Sequence, residues 1–169
     1  MRVWMWAAFA AAVVACSSSA QAADTASLKV VGQKQGAIAN GVEVLDFNYA
    51  ITSPRDPQSG LPTGKRMHKP FVVMIPWSPA AVGLYNAVAM NENLSSVMIS
   101  DAGGVGGKPG ARFTVELTNA SVSDFEILDT NGKDSGVEPV VKVTFTFQKI
   151  TLSDVAGGKS AMDDWEARN

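Results

Sequence analysis

His68 is the only histidine in the chain, so it is the only imidazole available as a general base or a metal ligand. A histidine-based metal site or a Ser-His-Asp triad would therefore depend on this residue alone. It lies among Lys65, Arg66 and Lys69, whose positive charges disfavour both a bound cation and a general base. The sequence predicts a structural, hydrogen-bonding role for His68, and no catalytic residue, cofactor or metal site. A hydrolase remains only a residual hypothesis.

Two other patterns are weaker candidates for chemistry. Asp124 and Glu126 would share one face of a strand, but the sequence offers neither an adjacent apolar pocket nor an acid/base contrast, so exposed carboxylates are predicted. The run GGVGGK at residues 103–108 is rich in glycine. It lacks the spacing and the Ser or Thr of a phosphate-binding loop, and no helix pattern follows it. This run therefore predicts a hairpin turn.

The charges around His68 belong to one long segment, residues 53–70, with the sequence SPRDPQSGLPTGKRMHKP. Its four prolines, two glycines and five charges exclude both a helix and the middle of a sheet. A connection of this length between two strands is often functional, and its prolines pre-order it for docking. We predict a subunit interface that uses Arg55, Asp56, Leu61, Lys65, Arg66, His68 and Lys69.

The elements around this segment read as strands and one short helix. Residues 42–52 alternate with period two, which places Glu43, Leu45, Phe47, Tyr49 and Ile51 on one face. Residues 28–31 and 97–99 predict further strands, residues 36–41 a turn, and residues 71–75 a central strand that is apolar on both faces. Ser78 and Pro79 have the form of an N-cap and first helical residue, and Asn91 and Asn93 end the helix. The side of the helix predicted to pack on the sheet carries Val82, Tyr85 and Ala89, with Leu84 and Val88 beside them.

Two later segments predict a long antiparallel pair. In the first, Phe113, Val115 and Leu117 would face inward. In the second, residues 141–148, the apolar residues Val141, Val143, Phe145 and Phe147 alternate with the polar set Lys142, Thr144, Thr146 and Gln148. The sequence Asn131-Gly132 between the two segments is a hairpin signal. The polar outer face is either simply solvated or, in a ring, the lining of a hydrophilic channel.

Composition and the N-terminus bound the class of protein. The formal net charge of −2 argues against nucleic-acid binding, and the 15 glycines and 8 prolines between short apolar runs indicate one all-β domain. Arg2 and an apolar run over residues 4–15 read as an export signal that is too short to span a membrane. Two processing sites remain open: Ala20-Gln21-Ala22, or a lipobox ending at Cys16, which would be lipidated and anchor the protein. Cys16 is the only cysteine, so a folded part that begins after it holds no disulfide.

The long segment and its flanks resemble a known family. SPRDPQSGLPTGKRMHKP is similar to the corresponding region of the haemolysin-coregulated proteins (Hcp), the tube-forming component of the bacterial type VI secretion system. Further similar blocks follow the family order: GQKQG at residues 32–36, VEVLDF at 42–47, VELTNASV at 115–122 and VTFTFQKI at 143–150. The resemblance spans residues 28–152 and implies an Hcp-like β-barrel of two packed antiparallel sheets, with one short helix on the side and a long extended loop.

The resemblance also implies a function. Hcp-like subunits form hexameric rings that stack into a tube, contact the spike and sheath proteins, and hold effector proteins in a lumen, which residues 142, 144, 146 and 148 would line. We therefore predict a non-enzymatic structural and transport protein that leaves the cytoplasm through the type VI machinery. The predicted domains are a signal peptide at residues 1–22, a barrel at 23–153 and a short tail at 154–169, where Trp165 either docks on a neighbouring subunit or frays.

The export signal departs from the family pattern, because a subunit sent to the periplasm could not join a tube assembled in the cytoplasm. Either translation starts further downstream, or the chain is an exported relative with a changed role. The alternative hypothesis is therefore an exported or lipid-anchored binding module, periplasmic or on the cell surface, that keeps the fold and does not join the tube.

Overall fold

The computed structural model describes residues 26–101, 112–129 and 138–165. The predicted leader with Cys16, the glycine-rich turn at 103–108 and the Asn131-Gly132 turn lie outside the described residues. Within the described ranges, no helix has the length and apolar character needed to cross a membrane.

The described chain contains ten strands and one helix. In chain order they are β1 (Ala26–Gly32), β2 (Gly36–Val44), β3 (Asp46–Asn48), β4 (Ile51–Thr52), β5 (Met67–His68), β6 (Phe71–Pro76), α1 (Pro79–Ala89), β7 (Asn93–Asp101), β8 (Phe113–Leu128), β9 (Val140–Asp154) and β10 (Lys159–Asp164).

Eight of these strands form one antiparallel sheet in the order β2-β1-β7-β8-β9-β6-β3, with β10 pairing β9, while β4 and β5 form a separate two-stranded ribbon. The two ends of the order, β2 and β3, are consecutive in the chain. Immediately after β2, the Leu45 N–H donates a hydrogen bond to the Met74 carbonyl of β6 at 2.8 Å. The sheet therefore curls back on itself, which confirms the predicted mostly β, barrel-like fold with one helix.

The long pair β8 and β9 forms as predicted. The two strands run antiparallel from Phe113 opposite Asp154 to Leu128 opposite Val140. Alternate residues of β9 enter the core, where Val141, Val143 and Phe145 are fully buried. Apolar residues at every second position bury one face of a strand, so the alternation in the sequence predicts this strand correctly.

The region before the long segment differs from the prediction. Residues 36–41, predicted as a turn, are part of strand β2, and the predicted strand 42–52 is divided among β2, β3 and β4. Val44 is buried whereas the next residue, Leu45, is half exposed, so the alternation changes phase at this point. The phase change lets the chain leave its pairing with β1 and join β6, a tertiary requirement that a local pattern does not reveal.

The helix lies where it was predicted, but its buried side agrees with the prediction only in part, since Leu84 is buried and Val88 packs partly against the core. It runs from Pro79 to Ala89. Its buried residues are small except for one leucine: Ala80, Ala81, Leu84 and Ala87. Val82 and Tyr85, which were predicted to face the sheet, are more than half exposed. Small residues let the helix approach β2 and β8 closely. The buried side is therefore the one that packs closely, and not the one with the largest apolar side chains.

The ends of the helix agree with the prediction only in part. Ser78 occupies the N-cap position in an extended conformation, but its hydroxyl makes no capping hydrogen bond. At the other end Asn91 adopts a left-handed backbone conformation with φ of 48°. Asparagine tolerates this conformation better than most residues, and it stops the helix.

A pair of alanine substitutions tests which side of the helix is buried. Leu84→Ala should lower the free energy of unfolding by about 2–5 kcal/mol, because it leaves a cavity in the core. Val82→Ala should change it by less than about 0.5 kcal/mol, because that side chain is exposed. Urea unfolding of both variants measures the difference, and a larger loss for Val82→Ala would restore the predicted orientation.

Candidate functional site

The predicted interface segment forms a narrow hairpin, residues 51–68, which we call the arm. At its base Ile51 lies opposite His68, and Thr52 opposite Met67. Further out, Arg55 and Pro62 form an isolated bridge. The Asp56 N–H donates to the Leu61 carbonyl at 2.9 Å. The arm therefore has internal backbone order along its length, although its prolines prevent a continuous ladder.

The tip of the arm is held by two charged residues that were predicted to contact a neighbouring subunit. The Asp56 carboxylate accepts hydrogen bonds from the Ser59 hydroxyl at 2.6 Å and the Gln58 N–H at 3.1 Å. The Ser59 bond, followed by the Gln58 bond, lowers the pKa of Asp56 below its usual range. Arg55 Nη1 donates to the Gly60 carbonyl at 3.0 Å. Both residues thus stabilise the turn itself.

Three other residues of the predicted interface point into solvent. Leu61, at the tip, leaves 65% of its surface exposed. Lys65 and Lys69, on the returning limb, are also exposed. An apolar side chain at the end of an ordered projection is the part of the arm best placed to gain stability from burial against another protein surface.

Arg66 and His68 instead meet the C-terminal strand at the base of the arm. The Arg66 guanidinium binds both carboxylate oxygens of Asp163 through Nε and Nη2. His68 Nε2 donates to Asp163 Oδ2 at 3.0 Å. The Trp165 ring lies 4.8 Å from the His68 ring, measured between centroids. We call Tyr49, Arg66, His68, Asp163 and Trp165 the base cluster.

His68 uses both of its ring nitrogens inside the chain. Its side chain is only 2% exposed, and Nδ1 lies 2.6 Å from the hydroxyl of Tyr49. The tautomer that carries its proton on Nε2 satisfies both bonds, because Nδ1 then accepts from Tyr49 while Nε2 donates to Asp163. Burial, and then the charge of Asp163, raise the pKa of Tyr49. Within the described ranges no three His, Cys, Asp or Glu side chains are grouped closely enough to hold a metal ion.

Aromatic rings connect the base cluster to the core. Tyr49 stacks on Phe71 with centroids 5.7 Å apart, and Phe71 stacks on Phe47 at 6.0 Å. Phe147 meets the edge of both Tyr49 and His68. Such ring contacts contribute beyond the area they bury, so the arm is packed onto the barrel and is not a free loop.

The arm leaves the barrel through a gap along one side of β9. The first part of β9 pairs with β6 as far as Phe145, opposite Phe71. The last part pairs with β10 from Lys149 onwards, opposite Asp164. The intervening residues 146–148 open into a cavity of about 420 Å³, lined by His68, Lys69, Pro70, Asn119, Ser121, Thr146, Phe147, Gln148 and Trp165. The base cluster therefore joins the arm to β10 through Asp163, and it contacts β6 where Tyr49 packs on Phe71.

Asp163 makes the stability of this cluster depend on pH. Hydrogen bonds from Arg66 are the main reason that its pKa lies below the usual range in the folded protein. A carboxyl with a lowered folded pKa stabilises the fold fully above its unfolded pKa of about 4, and that contribution disappears as the pH falls through the folded value.

We therefore expect Asp163→Asn to be less stable than the parent protein near neutral pH, and the difference to shrink as the pH is lowered towards about 2. Urea unfolding of both proteins at several pH values measures this difference. An unchanged gap across the acid range would show that the ion pair contributes nothing.

The predicted channel residues lie on the face of β9 opposite the core. Lys142 Nζ binds Glu126 Oε2 at 2.6 Å, and this bond raises the pKa of Lys142. Thr146 is exposed, while Gln148 Oε1 accepts from Asn119 Nδ2 at 2.6 Å. Glu126 is thus paired with the ammonium group of Lys142, and together with Asp124 it contributes to a polar surface.

Sequence reasoning missed Glu92, which is 1% exposed. Its carboxylate accepts hydrogen bonds from the backbone N–H groups of Gln35 at 2.8 Å and Lys34 at 2.6 Å, and the Gln35 bond is the main reason that the pKa of Glu92 is lowered. A side chain at Gly32 would clash with Glu92, which explains the glycine at that position. The turn at residues 32–36 is therefore built around one buried carboxylate that lies far away in the sequence.

Comparisons with known proteins agree on one family. A family model described as "Type VI secretion system effector, Hcp" matches residues 22–153. The chain is 32% identical to the Major exported protein of Pseudomonas aeruginosa. The aligned region of 167 residues covers 86% of this chain and 97% of the relative.

Solved structures show the same fold. A crystal structure of an Hcp protein superposes with a TM-score of 0.76 at 26% identity, over 85% of this chain and all of the other. The secreted protein Hcp3 from Pseudomonas aeruginosa gives a TM-score of 0.68 at 25% identity, over 83% of this chain and 99% of the other.

Proposed function

This chain belongs to the Hcp family of the type VI secretion system, and we propose that it is the ring-forming subunit of a secretion tube. Six copies would close a ring, and rings would stack into a conduit. The observation that carries this proposal is the arm: an internally ordered hairpin with an exposed apolar tip, packed at its base onto the barrel.

The order of the arm favours assembly. Its turn is already closed by Asp56, and its base is already fixed by Arg66 and His68. A segment that is ordered before it docks loses less conformational entropy on binding. In a ring each favourable contact is repeated by symmetry, so modest contacts at each interface add up.

Some of the predicted interface residues would contact the neighbouring copy directly, and others would hold the arm in shape. Leu61 supplies apolar surface, and Lys65 and Lys69 supply charge that favours one register over others. Arg55, Asp56, Arg66 and His68 act indirectly by fixing the shape and direction of the arm. Exposed charge pairs are individually worth only about 0–1 kcal/mol, so we expect Leu61 to matter more than either lysine.

The polar face of β9 would line the lumen of the ring. Lys142, Thr144, Thr146 and Gln148 alternate with core residues, so they share one surface. A hydrophilic wall with little exposed apolar surface lets a protein cargo pass without adhering to it. We propose that effectors are carried there, and that the spike and sheath proteins contact the assembled tube from outside the lumen.

The export signal and the lipidation of Cys16 stay predictions. Mass spectrometry of the N-terminus of the mature protein tests them directly. An intact or only Met-processed start fits assembly in the cytoplasm, whereas cleavage after Ala22 or a lipid on Cys16 would contradict the tube proposal and favour the exported module.

A secretion assay tests the proposed function. In a bacterium with a working type VI apparatus, the protein should accumulate in the culture medium. In a matched strain that lacks the sheath protein it should remain in the cells. Equal release from both strains would overturn the proposal.

A further inference from the structure

Strand β10 is weakly tied to the rest of the fold. Among the described strands it pairs with β9 alone, over residues 159–164. Its side chains are exposed or half buried. The buried core of the described chain ends at Ile150, so β10 contributes nothing to it. Its position therefore depends on the ladder with β9 and on the contacts made near its C-terminal end.

Those contacts go to the arm. Both oxygens of the Asp163 carboxylate are used, since Arg66 binds each of them and His68 donates to one. Arg66 Nη2 also reaches the carbonyl of Asp164 at 3.4 Å. The Trp165 ring contacts the His68 ring in a tilted arrangement. A carboxylate that accepts from an arginine fork and an imidazole is held in one orientation.

Asp163 binds the returning limb of the arm directly and is linked to the start of the outgoing limb indirectly. Arg66 and His68 lie on or beside β5, on the returning limb, and Tyr49 lies two residues before β4, where the outgoing limb begins. Asp163 reaches Tyr49 through the bond between His68 and Tyr49. Two backbone connections alone act as a hinge about one axis. A third attachment point, on a different strand, removes that rotation.

We propose that β10 is a clamp that fixes the direction of the arm, and that Asp163 is its positioning residue. Displacing β10 frees the arm to swing without opening the core. The consequence for assembly rests on the proposed function, because a ring needs every arm to point the same way. The clamp itself is a property of the single chain and is tested separately.

Three substitutions distinguish a role of Asp163 in fixing the arm from a role in the general stability of the fold. Asp163→Asn keeps the size of the side chain but replaces one acceptor oxygen with an amide that faces the guanidinium unfavourably. Asp163→Glu keeps the charge and the fork geometry. Glu43→Gln makes the same change of charge at an exposed residue of β2, and it serves as the matched control.

Hydrogen exchange on dilute full-length protein measures the clamp. At the base of the arm the Lys69 N–H donates to the Ala50 carbonyl at 2.9 Å and reports opening there. In Asp163→Asn we expect exchange at residues 66–69 to be about ten- to a hundredfold faster, as expected for loss of a charge-assisted bond. Exchange in β8 and in residues 140–145 of β9, which pair with β6, should rise only by the smaller factor that the loss of global stability measured in urea accounts for. Glu43→Gln should match the parent protein, and Asp163→Glu should restore most of the protection.

The outcomes are distinct. Unchanged exchange at residues 66–69 in Asp163→Asn overturns the clamp. A rise in exchange by the same factor at residues 66–69 and throughout β8 and β9 also overturns it, because Asp163 would then be a general stabilising residue. Weaker self-association of Asp163→Asn alone, with restoration by Asp163→Glu, supports its role in assembly. If the parent protein does not self-associate at all, the proposed function fails, while the exchange comparison still decides the clamp.

Discussion

Leu61→Ala is expected to weaken self-association of the protein about tenfold or more, while leaving the fold intact. The side chain lies at the tip of the arm and is 65% exposed in the single chain. If it becomes buried against a neighbouring copy, removing its two methyl groups and the carbon that carries them costs about 1–2 kcal/mol at each contact, which corresponds to a change of about tenfold in affinity. Sedimentation equilibrium over a range of concentrations measures the shift.

Val82→Ala provides the control for Leu61→Ala. Val82 is 57% exposed, on the outward side of the helix, and it is not part of the predicted interface. Self-association of this variant should equal that of the parent protein. Equal weakening by both substitutions would show that the arm has no special role. Unchanged association of Leu61→Ala would show that the tip of the arm does not lie in the interface.

Phe145→Ala is expected to lower the free energy of unfolding by about 3–5 kcal/mol. Phe145 is fully buried in β9 and lies opposite Phe71 of β6. Its removal leaves a cavity beneath the place where the arm joins the barrel, and close-packed surroundings relax only partly into such a space. Urea unfolding at fixed pH measures the loss.

The neighbouring residue supplies the control for Phe145→Ala. Thr146 is exposed on the opposite face of the same strand. Thr146→Ala should alter stability by less than about 0.5 kcal/mol. Similar effects of the two substitutions would contradict the assignment of the two faces of β9, and with it the proposed position of the channel lining.

Much of the barrel was predictable because its strands bury one face. Val141, Val143 and Phe145 alternate with polar residues, and the structure places all three in the core. The helix was located by Ser78 and Pro79, whose types fit its start. Leu84 is buried as predicted, but Val82 and Tyr85 were wrongly predicted to face the sheet, because the smaller Ala80 and Ala81 fit the close approach of the helix.

The base of the arm was less predictable because its contacts are distant in sequence. Arg66 and His68 were identified as candidate residues, but nothing local indicates that Asp163, at the far end of the chain, would bind them. Glu92 is a similar case, since its hydrogen bonds go to backbone groups of another hairpin. Buried carboxylates are matched to donors by the tertiary fold, and a single sequence carries no pattern for that.

The division of the long strand at Leu45 has the same origin. Period-two alternation predicted one continuous strand, and the residues near Phe47 and Tyr49 obey it, since both are partly buried and pack on Phe71. Curling the sheet requires a change of partner between β2 and β3, and the chain makes this change where the alternation shifts phase.

The central claim is that identical copies of this chain assemble through their arms. Sedimentation velocity of the mature protein at increasing concentration, with negative-stain images of the same samples, tests it most directly. We predict a discrete species of six copies seen as rings, together with slowed hydrogen exchange at the tip of the arm. A single monomeric species at the highest concentration, with the exchange of the arm unchanged from dilute solution, would contradict the claim.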